Sequence, residues 1–268
     1  MRSWSRSWRV KGRIWSATPR ICLRLWAILC LLMRMRKRML ILRLDAPFGV
    51  FRTFAAGNFR STAAFITPSA AYGLVLNIAG IDMRAPDDGR SVATSIRSQK
   101  LPALKIALGV RGELPRQQSM LQQLHNYPVG AVGRERKAIA KGNPYNISPV
   151  RRTFLTDIHA YIAIRGDKDF EEQIVKGLDG KSKRSYGLPF IGDNSFMPDW
   201  LEAVDHPEPA RWYERIDETS EAGVREDITR LTITIDRMNM ERTRSALFGP
   251  QQHPSTKIPE RAWVSVVY

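Results

Sequence analysis

The stretch Phe154-Leu-Thr-Asp-Ile-His-Ala-Tyr-Ile-Ala-Ile164, followed by Asp167–Leu178, decides the fold class. Its first part has a period of two, which predicts a β-strand. Apolar side chains there alternate with His159, Tyr161 and Ala163, at Ile158, Ala160, Ile162 and Ile164. The second part predicts an amphipathic helix, because its apolar residues recur on one helical face. These are Phe170, Ile174, Val175 and Leu178.

Three further elements precede this strand and helix. Leu40–Leu44 predicts a short strand that ends at the turn Asp45-Ala-Pro47. The apolar run 70–79 predicts a buried helix, since Thr67-Pro-Ser69 is a start signal and Gly80 a stop signal. Leu104–Val110 predicts a second strand. The resulting β–α–β–excursion–β–α order over 39–178 predicts an α+β fold of the ferredoxin-like type.

The remaining segments are assigned by composition. Arg111–Arg152 holds eight basic and two acidic residues, and its glycines and prolines favour an extended hairpin over long helices. Asp193–Asp227 holds eleven acidic residues and is expected to face solvent or a protein partner, because carboxylates repel phosphate. Strands are predicted near Leu231–Ile235 and Trp263–Tyr268, so 193–268 should form a smaller, β-containing C-terminal part.

The first 38 residues differ from the rest of the chain. The protein has 268 residues and a net charge of +16, yet residues 1–38 hold eleven basic and no acidic side chains, as well as both cysteines. Residues 39–268 therefore carry only +5. We interpret 1–38 as a basic extension outside the fold, with the working protein beginning at Met39. A nucleic-acid or partner arm and a membrane contact remain alternatives; the apolar run Ile21–Met33 is too short to span a bilayer.

Sequence motifs for common catalytic chemistries are absent. There is no Walker A motif, dinucleotide fingerprint, nucleophile elbow or zincin motif, and the four histidines are far apart. We therefore expect no cofactor and no metal site. The basic excursion could instead contact RNA, because Arg and Lys bind phosphates and Tyr rings stack on unpaired bases. A metal-independent ribonuclease using His125, Lys141 or Tyr145, and a basic scaffold without RNA specificity, remain alternatives.

The order of several short motifs resembles a known family. Leu42-Arg-Leu-Asp-Ala-Pro47, then Arg52, Arg60 and Thr67-Pro-Ser-Ala-Ala-Tyr-Gly-Leu74, resembles the Cas-five family of CRISPR-associated proteins, in the RAMP superfamily. Three later strings are similar to its DevS-like branch: Asn126-Tyr-Pro-Val-Gly130, Val150-Arg-Arg-Thr-Phe-Leu155 and Tyr186-Gly-Leu-Pro-Phe-Ile-Gly192. The resemblance covers about 40–250 and begins near Met39.

The resemblance implies a ferredoxin-like, RNA-recognition-motif domain at 39–192, with a basic β-hairpin thumb at about 111–152. It implies a non-catalytic, cytoplasmic subunit of a type I Cascade, the CRISPR effector complex of antiviral defence. Such a subunit binds the 5′ handle of the CRISPR RNA, adjoins Cas-seven-type and Cas-eight-type subunits, and meets target DNA through the complex. The alternative implied by the family is an endoribonuclease that processes precursor CRISPR RNA. The expected RNA-binding residues are Arg52, Arg60, Ser69, Arg134, Arg136, Lys137, Lys141, Tyr145, Arg151, Arg152, Lys183 and Arg184.

Overall fold

The computed structural model describes residues 39–53, 59–83, 101–125, 147–182, 187–216, 227–236 and 240–268. Met39–Tyr268 forms one unit, and its first residue lies at the composition break seen in the sequence. No helix among the described residues has the length and hydropathy needed to cross a membrane.

One mixed sheet organises this unit. Its strands are β1 (Leu40–Gly49), β2 (Phe59–Arg60), β3 (Leu104–Val110), β4 (Arg116–His125), β5 (Ile147–Arg165), β6 (Trp200–Ala203), β7 (Arg211–Arg215), β8 (Thr229–Thr234), β9 (Arg244–Pro250) and β10 (Val264–Val266). The order along the sheet is β6-β1-β5-β3-β7-β9-β8, with β10 on β3 and both β2 and β4 on β5. Every pairing is antiparallel except that of β2 with β5. Among the described residues, two α-helices, α1 (Pro68–Ala79) and α2 (Lys168–Leu178), and 3-10 turns at Met240–Arg242 and Glu260–Ala262 complete an α+β fold, as the sequence predicts.

Helix α1 begins and ends where its sequence signals lie. The Thr67 side chain accepts a hydrogen bond from the Ala70 N–H at 3.2 Å, and Pro68 occupies the first turn. Gly80 closes the helix in the left-handed conformation, at φ +79°, which glycine adopts without steric cost. Most of the helix is buried, which explains why its sequence is apolar nearly all round.

Strand β5 is longer than its sequence pattern predicts, because its two halves belong to different parts of the fold. Its C-terminal half pairs with β3 over 160–165, in the central sheet. Its N-terminal half pairs with β4 from Arg116↔Thr156 to His125↔Ile147. The change of partner occurs around Asp157, the one non-glycine residue at positive φ among those described. The arms of the basic excursion are thus an antiparallel hairpin, while residues 126–146 lie outside the described part.

The sheet has a core on each face. On one face, β1, β3 and β5 pack their alternating apolar side chains against α1 and α2, through residues such as Leu44, Leu108, Ile162, Tyr72 and Ile174. On the other face, Tyr161 and Ala163 of β5 are covered by the fully buried Trp212. Gly109 of β3 leaves room for the Trp212 ring, because a Cβ at this position would lie only 2.9 Å from that ring.

The C-terminal part extends the same sheet at both sides. β6 pairs with β1, whereas β7 and β10 both pair with β3. Residues 193–268 therefore contribute strands to the central sheet and cover one of its faces. No strand is predicted from the sequence at β6, β7 or β9. β6 and β7 lie in the segment 193–227, which the composition indicates as an acidic surface.

Candidate functional site

One face at the base of the hairpin presents an exposed basic and apolar row across three strands. Arg151 of β5 lies directly opposite Phe59 of β2 on one side and Leu121 of β4 on the other. Directly opposed residues in a sheet project to the same face, with Cβ atoms about 5 Å apart. Arg151 is exposed, Phe59 is 48% exposed and Leu121 is 74% exposed. A guanidinium beside an accessible aromatic ring can bind a phosphate and stack on a base.

The next residue, Arg152, projects to the opposite face and is buried. Only 2% of its side chain is exposed. Its Nη2 donates to Asp193 Oδ2 at 2.6 Å and its Nη1 to Gln122 Oε1 at 3.0 Å. The prediction that Arg152 contacts RNA has no support from this geometry, because its guanidinium is bound to a carboxylate and its side chain is almost fully buried.

Asp193 is the carboxylate that organises this buried side. Its side chain is 10% exposed, so it is an exception to the acidic surface expected for 193–227. The Ser195 N–H donates to Oδ1 at 3.0 Å, and the exposed Arg52 approaches Oδ2 at 3.5 Å. Burial acts to raise the pKa of Asp193, but the hydrogen bonds from Arg152 and Ser195 outweigh it and hold that pKa below its ordinary value.

The segment that carries Asp193 is fixed to the end of β1. The Val50 N–H donates to the Ile191 carbonyl at 3.2 Å. Gly192 has φ +72°, and a Cβ at this position would clash with the Val50 carbonyl. Glycine is therefore required where this segment approaches the strand, and the contact brings Asp193 to Arg152.

Three phenylalanine rings lie beside this ion pair. The Phe48 and Phe154 ring centroids are 5.6 Å apart in an edge-to-face arrangement. Phe196 lies 6.4 Å from each of them and is stacked on Phe154. The Arg152 guanidinium lies 6.0 Å from the Phe196 ring centroid. Phe48 is 45% exposed, so this aromatic cluster opens to the surface on one side.

Ser69 does not present a phosphate site at the start of α1. Its side chain is buried and lies 3.0 Å from the Thr67 hydroxyl. The N–H groups of Ala70 and Ala71 bond to the Thr67 side chain and carbonyl. The prediction that Ser69 contacts RNA has no support from this geometry, because its side chain is buried and the Ala70 and Ala71 N–H groups are already bonded to Thr67.

The structure places three of the predicted RNA-binding residues around the N-terminal half of β5, on both of its sides. Arg52 is 61% exposed, Arg151 is exposed, and Arg60 is half-buried on β2, opposite Arg152. Seven others lie outside the described residues: Arg134, Arg136, Lys137, Lys141, Tyr145, Lys183 and Arg184. Sequence reasoning missed Phe59, Leu121 and the three-ring cluster, because only the strand register shows which side chains are neighbours.

A separate polar cluster lies on the sheet face opposite the helices. Asp45 accepts hydrogen bonds from Arg43 Nε at 2.9 Å, from His159 Nδ1 at 2.6 Å and from Arg111. Burial acts to raise the pKa of Asp45, but the His159 hydrogen bond and the two arginines lower it overall. Two carboxylates lie at the rim of this cluster, Glu202 near Arg43 and Glu208 near Arg111. The charges are thus largely balanced, which is typical of a satisfied ion-pair network rather than an anion site.

No group of three or more potential metal ligands (His, Cys, Asp or Glu) occurs within the described ranges.

Comparisons with known proteins give one family assignment. The sequence pattern of the family described as "CRISPR-associated protein (Cas_Cas5)" matches residues 39–252. A chain of a "CRISPR RNA-guided surveillance complex" is 19% identical with a TM-score of 0.49, covering 84% of this chain and 95% of that chain. A "Crystal structure of Cas protein" is 17% identical with a TM-score of 0.43, covering 83% and 98%. No curated protein matches significantly. Because the family pattern spans well over half of the sequence, the chain belongs to the Cas-five family of CRISPR-associated proteins.

Proposed function

We propose that this protein is a non-catalytic subunit of a type I Cascade that binds the 5′ handle of the CRISPR RNA. The observation that carries the proposal is the exposed row of Phe59, Arg151 and Leu121 at the base of the hairpin. The two arms of that hairpin lead into residues 126–146, which contain four further basic side chains, Arg134, Arg136, Lys137 and Lys141. A basic hairpin with accessible rings at its base suits single-stranded RNA, whose splayed bases offer both phosphates and π-faces.

The topology supports a ferredoxin-like, RNA-recognition-motif frame. Along the chain β1, α1, β3, β5, α2 and β6 follow the β-α-β-β-α-β order of that fold, and the hairpin is inserted between β3 and the C-terminal half of β5. The sheet face opposite the helices is covered at its centre by Trp212 and nearby residues. In our proposal RNA therefore lies along the hairpin and its base instead of across the middle of the sheet.

Each exposed side chain has a distinct role in the proposed complex. Arg52 and Arg151 neutralise phosphates and set the affinity, while Phe59 stacks on a base. In the segment 126–146, we propose that Arg134, Arg136, Lys137 and Lys141 add phosphate contacts and that Tyr145 stacks. Lys183 and Arg184 contribute further charge close in sequence to the Asp193 segment.

We propose that the acidic C-terminal residues face other proteins of the complex. Asp199, Asp205 and Glu208 are exposed on the described part of 193–227. Their charge disfavours RNA and suits a protein partner, which in a Cascade is a Cas-seven-type or Cas-eight-type subunit. Target DNA is reached through the assembled complex, in the cytoplasm.

Binding and cleavage can be tested on the same sample. Purified full-length protein is titrated with labelled handle RNA and with a scrambled RNA of equal length at the same salt concentration. The proposal predicts tighter binding to the handle, and equal affinity would instead favour a basic scaffold. Incubation with repeat RNA in EDTA tests the ribonuclease alternative, in which His125, Lys141 or Tyr145 would act. Intact RNA is expected; discrete cleavage that is lost in His125→Ala, Lys141→Ala or Tyr145→Phe would contradict a purely binding role.

A further inference from the structure

The aromatic cluster of Phe48, Phe154 and Phe196 is only partly buried, unlike a closed hydrophobic core. Phe154 and Phe196 are half-buried and stacked with an interplanar angle of 13°. Phe48 stands edge-on to Phe154 and leaves nearly half of its surface accessible. The cluster therefore has one accessible ring, that of Phe48, which packs against two half-buried rings.

The charges beside this cluster are asymmetric. Arg152 and Arg52 share the same oxygen of Asp193, but Arg152 is the closer, at 2.6 Å, and is buried. Arg52 approaches that oxygen only at 3.5 Å and remains mostly exposed. One carboxylate thus faces two guanidinium groups, and the excess positive charge resides on the exposed Arg52.

Arg52 is connected to the aromatic cluster through Asp193 and Arg152, whose guanidinium lies 6.0 Å from the Phe196 ring centroid. An accessible ring and an exposed guanidinium joined in this way match the two parts of a nucleotide. A base stacks on an aromatic face, and its phosphate pairs with a cation. A purely apolar protein segment would use the ring but would leave the net positive charge of Arg152, Asp193 and Arg52 unbalanced. The combination therefore favours a nucleotide over an apolar peptide.

We infer that Phe48, packed against Phe154 and Phe196, forms a stacking subsite for one unpaired RNA base, and that Arg52 binds a phosphate of the same RNA. This inference rests on the proposed RNA-binding function and adds a second contact point on the opposite side of β5 from Arg151. Asp193 is the positioning residue of the subsite, because it holds the segment that carries Phe196 and limits the position of Arg52.

The test compares two variants at Phe48, and one control variant at Phe190, for binding to handle RNA. Stacking on one base contributes a factor of about 5 to 150 in affinity. Phe48→Leu keeps an apolar side chain without a π-face and should lose a factor in this range. Phe48→Trp should bind within about threefold of the wild type, and Phe190→Ala, which removes another exposed phenylalanine, should have no effect. Thermal unfolding of each variant confirms that the fold is intact, and Phe48→Trp remains informative if Phe48→Leu is unstable.

A scan with handle RNAs that each lack one base locates the contact. Removing one particular base should weaken binding to the wild type and leave binding to Phe48→Leu almost unchanged, because that variant has already lost the stacking contact. If wild-type protein binds the handle but Phe48→Leu and Phe48→Trp both bind as tightly, with no base sensitive to the substitution, the subsite is refuted and the proposed function stands. If wild-type protein has no preference for the handle, the proposed function itself fails.

Discussion

Replacing Asp193 by alanine should destabilise the fold strongly. The substitution leaves the Arg152 guanidinium, only 2% exposed, without its carboxylate at 2.6 Å. Removing one partner of a buried ion pair costs about 3–5 kcal/mol, because the remaining charge stays buried without compensation. For a unit of this size each kcal/mol lowers the melting temperature by about 2–4 °C, so the expected drop is roughly 6–20 °C.

Two further variants separate this explanation from simple loss of a side chain. In Arg152→Met combined with Asp193→Leu no charge is left buried, so most of the lost stability should return. Glu113→Ala breaks an exposed pair with Arg116, and such pairs contribute less than about 1 kcal/mol. Thermal and urea unfolding of the full-length protein provide the measurements. Equal melting temperatures of Asp193→Ala and the wild type would contradict the predicted cost of an unpaired buried Arg152. A double variant with a lower melting temperature than Asp193→Ala would contradict it as well.

Three other predictions concern acid stability and RNA affinity. The pKa of Asp193 is lower in the folded state than in the unfolded state, so the ionised carboxylate stabilises the fold. This contribution to the free energy of unfolding is complete above the ordinary carboxyl pKa of about 4, and it is lost as the pH falls through the lower pKa of the folded state. The stability difference between wild type and Asp193→Ala should therefore shrink when unfolding is measured at decreasing pH below about 4, and a constant difference would contradict this assignment. The double variant Arg52→Ala, Arg151→Ala should reduce the slope of log affinity against log salt by about 1.4, because each phosphate contact on a single strand contributes about 0.7 to that slope. As a control, Arg244→Ala on the distant strand β9 should leave the slope unchanged. Replacing Arg134 and Arg136 together should reduce the slope by a similar amount, whereas Tyr145→Ala should cost about 1–3 kcal/mol of binding at an unchanged slope. An unaltered affinity in both would remove the segment 126–146 from the RNA site.

Local signals in the sequence account for the elements that could be predicted. Thr67, Pro68 and Gly80 specify both ends of α1 through capping and backbone conformation, which depend on near neighbours alone. The alternation within 104–110 likewise gives the observed strand β3. The α+β class follows from these elements together.

Whether a basic side chain is exposed or buried depends on the register between strands that are far apart in the sequence. Arg151 and Arg152 are adjacent, yet they project to opposite faces of β5, and only one of those faces is covered by Asp193, 41 residues away along the chain. No sequence pattern shows which of the two arginines is covered. The row of Phe59, Arg151 and Leu121 could not be predicted from the sequence for the same reason, because its residues come from three separate strands.

Photo-crosslinking of handle RNA to the full-length protein tests the central claim most directly. Handle RNA that contains 4-thiouridine at single positions is bound, irradiated and digested, and the modified peptides are identified by mass spectrometry. We predict adducts on β2, on β4 and on the N-terminal half of β5, within reach of Phe59, Leu121 and Arg151. Adducts confined to the strands β7 to β10, with none at the base of the hairpin, would contradict the proposed RNA site.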